Sequence, residues 1–255
     1  LKSSGSQPIQ VARGCESGLV AALFAGQGAQ GADSIIEAGF LKAFAENAAS
    51  ADLLTGLGTD FRIFETYIKV HGGCRGNHAP VDVVQDVVKN NAIAPENIAS
   101  IVIRVDSVTY AAEIHAPATG NEAQFSVAFA VAAALVNGDA SIFQYTDAIV
   151  ADPRIRAMMA RIHVEVDKEL DKGYPDKRAA ATEIVLADGR RCNGYIPNAK
   201  GEPESPFSAA EIEAKFLTLT KGILPGGGAR VRDLVMGLED LADPRVLTAA
   251  LHACS

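Results

Sequence analysis

Apolar positions along the chain fall into three stretches with different rhythms. In the first, "VARGCESGLVAALFAGQGAQG" reads as a helix over 11–27 built of small residues and closed by a glycine-rich stop. Its run from Leu19 to Ala25 is apolar on almost every face. Such a helix is normally buried on several sides, which implies neighbours that must come from elsewhere.

The second stretch changes period. In "APVDVVQDVVKNNAI" the valines at 83, 84, 87 and 88 recur at helical spacing, and Pro80 suits a first helical turn. "IASIVIRVDSVTY" follows with Ile101, Ile103 and Val105 on one face, the alternation of a strand. "NEAQFSVAFAVAAALVNG" is a second buried helix, closed by Asn137-Gly138. "DPRIRAMMARI" is a third, opened by Asp152 as cap and Pro153 at its first position, and it runs into the strand-like "HVEVD". "KELDKGYPDKRA" is charged and reads as an exposed loop. In "ATEIVLADGRRCNGYI", Asp188-Gly189 between two strand-like halves predicts a hairpin.

The third stretch is helical again. "AKGEPESPF" has the composition of a linker, and Ser208 with Glu211 forms a capping box for "SAAEIEAKFLTL". Two further helices complete a set at about 208–220, 227–240 and 244–253. The predicted class is α+β. A helical domain, seen in part, covers 1–65 and returns at 204–255, and a smaller α+β layer at 66–203 is inserted between. The outer zones are expected to pack on each other.

Composition alters this picture little. Of 255 residues, 48% are hydrophobic and 21% charged, as in an ordinary globular protein. The net charge is −8 with the basic residues scattered, so no nucleic-acid partner is expected. No apolar run reaches the ~18 residues of a membrane helix, and "LKSSGSQPIQ" lacks the apolar core of a secretory signal. Four cysteines, at 15, 74, 192 and 254, show no CxxC pairing. That argues against a disulfide framework or a structural zinc site, and a cytoplasmic setting is expected.

Candidate chemistry concentrates in "KVHGGCRGNHAPVD". Lys69, His71, Cys74, Arg75 and His78 lie within ten residues, strung on glycines 72, 73 and 76 just ahead of a helix. A loop of this kind is quite often only a solvated turn. Its order and spacing with "GNEAQFSVAFAVAAALVNG", "DPRIRAMMARIHVEVD", "LADGR" and "GLEDLADPRVLTAAL" matter more. From Val11 onward the chain resembles the MmgE/PrpD family, which includes 2-methylcitrate dehydratase, cis-aconitate decarboxylase and iminodisuccinate epimerase.

The resemblance implies a large helical domain with a smaller α+β lid and an active site between them. It also implies a proton added or removed next to a carboxylate, with neither metal nor organic cofactor. Fixed cations would stabilise the enediolate-like charge, and a histidine or lysine would shuttle the proton. On this basis Lys69, His71 and His78 are the expected catalytic groups, with Arg75 as a carboxylate clamp beside Lys69. Cys74 and Gln124 are expected at the pocket, although the Cys74 thiol reads equally as a small buried residue. His115, His163 and His252 are given no role.

Two departures qualify this. No counterpart is expected for the N-terminal helical region that supplies acidic, threonine and histidine site residues in full-length relatives. A K-x-x-H segment of the family aligns with Gln7 and Gln10, which can hydrogen-bond a carboxylate but carry no charge. Phe129 falls where cis-aconitate decarboxylase has a tyrosine. Three explanations stay open: one subunit of a two-chain enzyme, a piece of a longer precursor, or a degenerate, non-catalytic paralogue. The leading expectation is a lyase or isomerase that works as part of a larger assembly. Its substrate would be a small di- or tricarboxylate, foremost a 2-methylcitrate-like hydroxy acid undergoing dehydration. Through its helical zones the chain is expected to dimerise or to pair with a second chain that supplies the missing helices.

Overall fold

A computed structural model of the chain describes residues 6–45 and 49–252. Helix α1 spans Ser6–Gly26, opening five residues ahead of the predicted start, with Pro8 in its first turn. A π-helical segment at Ile35–Leu41, the single turn α2 (Lys42–Phe44) and 3₁₀ turns at Ser50–Leu54 and Arg62–Glu65 lead to the glycine-rich stretch.

Helix α3 (His78–Asn90) then turns its valines inward, with Val81, Val83, Val84 and Val87 all buried. Strand β1 (Ile98–Val105) buries Ile98, Ile101, Ile103 and Val105 and stops at Asp106, which caps the short helix α4 (Ser107–Ala112). The predicted second helix is broken in two. One turn, α5 (Gly120–Ala123), precedes Gln124 and Phe125, and α6 (Val127–Asn137) restarts at Ser126, whose hydroxyl accepts from the Phe129 amide. Every residue of α6 from Val127 to Leu135 is buried, and Gly138 ends it in the left-handed conformation.

Another turn, α7 (Asp147–Val150), is followed by α8 (Pro153–Met159), capped by Asp152 as predicted, and by strand β2 (Ile162–Val166). The segment predicted as an exposed loop holds one helical turn, α9 (Lys168–Asp171). Strands β3 (Ala180–Leu186) and β4 (Arg191–Ile196) form the predicted hairpin, with Gly189 at φ +87 in its turn.

The four strands lie in the order β2-β1-β3-β4. β1 pairs parallel with β2 and antiparallel with β3. Helices α3 and α6 cover the sheet, and α8 packs against α6. Gly194 of β4 sets how close α3 comes: a Cβ there would stand 2.4 Å from a Val87 methyl. This body holds nearly all of the apolar core.

The C-terminal helices are α10 (Ala209–Thr220, opened by the predicted capping box), α11 (Ala229–Met236) and α12 (Arg245–His252). Each outer zone packs chiefly on itself, where the sequence had suggested that the two pack together. The exposure of α1 follows: residues 8–26 are all exposed, including Leu19 at 64% and Phe24 at 63%. The burial expected for this helix is absent because no described element covers it. Among the described residues, no helix is long and apolar enough to cross a membrane.

Candidate active site

The stretch from Lys69 to His78 is pinned by its own backbone. Gly72 donates its amide to the Ala140 carbonyl at 2.8 Å, and Cys74 donates to the Gln124 carbonyl at 2.7 Å. Asn77 Nδ2 reaches the same carbonyl at 3.1 Å, and the Tyr145 hydroxyl donates to the Gly72 carbonyl at 3.0 Å. Two glycines allow this approach. A Cβ on Gly72 would lie 2.4 Å from the Tyr145 ring, and one on Gly73, at φ +81, would lie 2.7 Å from the Gln124 carbonyl oxygen. The break between α5 and α6 is what makes that carbonyl available.

These bonds shape one wall of a cleft of about 480 Å³. Lys69, His71, Gly72, Gly73, Gln124, Ser141 and Ile142 line that side, and Phe207, Lys215, Thr218 and Leu219 line the other. The cleft therefore lies between the α+β body and α10. No aspartate or glutamate is among its lining residues.

Three of the expected site residues, Lys69, His71 and Gln124, meet there. Lys69 Nζ donates to the Gly73 carbonyl at 2.8 Å. His71 is 9% exposed, and its Nε2 lies 2.7 Å from Asp82 Oδ1. A carboxylate only accepts, so the proton of a neutral His71 sits on Nε2 and Nδ1 is left as the basic nitrogen. Asp82 Oδ2 in turn accepts the Lys200 amide at 2.8 Å, which fixes the carboxylate from both sides.

The other expected groups take different positions. Arg75 is not free to clamp a substrate: its Nε and Nη2 donate to both oxygens of Glu202 at 2.8 and 2.7 Å. The same guanidinium lies 4.5 Å from the Tyr67 ring centroid, and the Glu202 carboxylate raises the Arg75 pKa. His78 is 3% exposed and stands behind His71, ring centroids 5.4 Å apart. Burial first, then the charges of His71 and Lys69, push its pKa down to about 3, so it is neutral at physiological pH. Its Nε2 has no hydrogen-bond partner among the described residues. Cys74 is half-buried, caps the Arg75–Asn77 turn and does not line the cleft. Gln10 lies exposed on α1, and the side chain of Gln7 lies outside the described residues. Phe129 is fully buried and packs on Tyr145, with ring centroids 5.3 Å apart.

Sequence reading missed Asp82, Ser141, Phe207 and Lys215. It also took 199–207 for a linker, whereas the segment straps the site. The Ile68 amide donates to the Gly201 carbonyl at 2.9 Å, Lys200 reaches Asp82, and Glu202, 6% exposed, holds Arg75. A Cβ on Gly201 would fall 2.0 Å from the Ile68 carbonyl oxygen. Gly201 and Glu202 here serve close packing, although the composition around them is that of a solvated connection. Only the spacing of Asp82, four residues after His78, carried a local signal, because it places both on one face of α3.

The chain is 24% identical to cis-aconitate decarboxylase of Homo sapiens over 264 aligned positions, covering 98% of this chain and 53% of that relative. A cis-aconitate decarboxylase of Aspergillus terreus is 22% identical over 268 positions, covering 96% of this chain and 54% of that relative. The chain thus spans about half the length of the curated relatives it matches. The profile of the MmgE/PrpD C-terminal domain matches residues 71–240, from the cleft-lining His71 to Asp240, just beyond α11, and the chain belongs to the MmgE/PrpD family.

Proposed function

We propose that this chain supplies the carboxylate-binding and proton-transfer half of a lyase acting on a small di- or tricarboxylic acid, foremost the dehydration of a 2-methylcitrate-like hydroxy acid. The observation that supports this is a cleft where two lysines and an aspartate-backed histidine face one space without a carboxylate in its lining.

In a dehydration, His71 Nδ1 takes the proton from the carbon next to a substrate carboxylate. Asp82 stabilises the imidazolium that results. The electron pair from the broken C–H bond forms the new double bond, and the hydroxyl leaves as water with the proton handed on from His71 Nδ1, which returns the histidine to its neutral form. Lys69, an ammonium at the edge of the cleft, stabilises the charge that builds on the carboxylate. His78, neutral and buried, supports the ring of His71 and carries no charge itself.

A second reading is favoured by the names of the relatives: decarboxylation of an unsaturated tricarboxylate. There the C–C bond to a carboxylate breaks, CO₂ leaves, and a proton from His71 quenches the electron pair left on carbon. In both readings a second chain or a second copy covers α1 and completes the site, because that helix leaves large apolar side chains in water.

The test is a panel of 2-methylcitrate, citrate, cis-aconitate and iminodisuccinate offered to the intact protein with any partner chain present. Products are followed by chromatography before and after chelator treatment. Turnover of at least one acid, unchanged by the chelator and reduced ~10²-fold or more by His71→Asn, is expected. Inactivity on all four would sink the reading in favour of a non-catalytic subunit.

A further inference from the structure

The two lysines of the cleft come from segments far apart in the chain, and nothing in the sequence pattern joined them. Lys215 sits on the half-buried side of α10, and its Nζ donates to the main-chain carbonyl of Lys69. Lys69 Nζ likewise bonds a main-chain carbonyl, that of Gly73. Among the described residues, neither ammonium has a carboxylate within ion-pair distance, whereas Lys172 and Lys200 each have one. Two like charges are thus brought to one cleft with no counter-charge. Each ammonium carries three N–H donors and spends one on a neutral oxygen. Apolar side chains of Ile142, Phe207 and Leu219 wall the same space and lower its effective dielectric constant. An arrangement that leaves cations together beside apolar walls is stabilised by an anion placed between them.

Resting on the functional reading above, we propose that Lys215 and Lys69 form a two-cation subsite for a second carboxylate of the substrate, with Lys215 making the cleft selective for di- and tricarboxylates over monocarboxylates. Lys215 is a binding and specificity residue here, distinct from the proton-transfer pair of His71 and Asp82. Burial, then the charge of Lys69, lowers the Lys215 pKa, as expected of an ammonium that lacks its counter-ion. The geometry also gives the anion a structural task. Lys215 bridges α10 to the glycine loop, so a carboxylate bound by both lysines draws the two walls of the cleft together.

The experiment measures binding in the intact protein, with tricarballylate as an unreactive tricarboxylate probe and butyrate as a monocarboxylate. Calorimetry follows the first and NMR titration the second, for wild type, Lys215→Gln and Lys215→Arg. The expected result is about 10-fold weaker tricarballylate binding for Lys215→Gln, the loss of one charge-assisted contact. Lys215→Arg should stay within about 3-fold of wild type, and butyrate should change by less than about 2-fold in either variant. Unchanged tricarballylate binding in Lys215→Gln overturns the proposal, as does an equal loss for both acids or an equal loss in both variants. A wild-type protein that binds neither acid overturns the functional reading itself and this proposal with it. Unchanged binding in the variants alone leaves that reading standing.

Discussion

Helices α1 and α6 are built from similar residues and have opposite fates. Both are rich in alanine, valine and leucine, and both are apolar around much of their circumference. Helix α6 is enclosed by α3, α8 and the sheet edge at β2, and nine consecutive residues from Val127 to Leu135 are buried. Helix α1 is exposed from residue 8 to residue 26. An apolar circumference states a demand for burial, but it does not say which element meets it. In α6 the demand is met within the chain, by strands and helices whose patterns can be read nearby in sequence. In α1 no described part of the chain meets it, which is why the proposed partner is placed there and not on the α+β body.

The sharpest way to break this comparison is a matched pair of truncations. Phe129→Ala in α6 should cost about 3–5 kcal/mol in urea unfolding, since its ring is fully buried against Tyr145. Leu23→Ala in α1, at 63% exposure, should cost less than about 0.5 kcal/mol in the chain unfolded alone. Comparable costs at the two positions would mean that α1 is covered even in the free chain.

A smaller effect distinguishes the site from the flank by pH. The His78 pKa is about 3 in the folded protein against 6.5 for an unperturbed histidine. Between those values the unfolded chain binds the extra proton, so stability falls as pH drops below about 6.5 and the loss is complete only near pH 3. From about pH 6.5 to 4.5 this one group should remove about 2–3 kcal/mol. Chemical denaturation of wild type and His78→Gln across that range checks it, and parallel pH profiles for the two proteins would contradict the assignment.

Smaller again is Gly73→Ala. Its φ of +81 and the 2.7 Å approach to the Gln124 carbonyl should together cost about 1–3 kcal/mol. Carboxylate binding should weaken in parallel, because the carbonyl that holds Lys69 belongs to the same residue. A stable variant with intact binding would show that the loop tolerates displacement.

Much of the fold was legible in the sequence, because its signals are local. The valine spacing of α3, the alternation in β1, the Asp188-Gly189 turn and the Ser208/Glu211 capping box each lie within a dozen residues. The break at Gln124–Phe125 was not legible, since none of Glu122, Ala123, Gln124 and Phe125 is a helix breaker and only the Ser126 cap reveals the restart. At the site, the Lys69–His78 cluster stood out by composition. Its sorting into cleft-facing Lys69 and His71, strapped Arg75 and buried His78 depends on Asp82 at the end of the same stretch and on Glu202 and Lys215, which lie elsewhere in the chain. Long-range pairs leave no periodic trace in a single sequence. Glu202 and Lys200 were hidden further by a neighbourhood that reads as linker.

The strand order has a kinetic consequence. The central strand β1 has its parallel neighbour about sixty residues downstream and its antiparallel neighbour about eighty downstream, as the pairs Ile101–Ile162 and Ile101–Ile184 show. Closing loops of that length is slow compared with forming a helix or the β3–β4 hairpin. The glycine loop is tied to Ala140 and Gln124, and Ile68 just ahead of it to Gly201, residues carried by segments that sheet closure must first bring into place. The cleft is therefore among the last parts of the molecule to form, and a carboxylate that binds it acts on a finished chain: it slows unfolding and leaves the rate of folding unchanged.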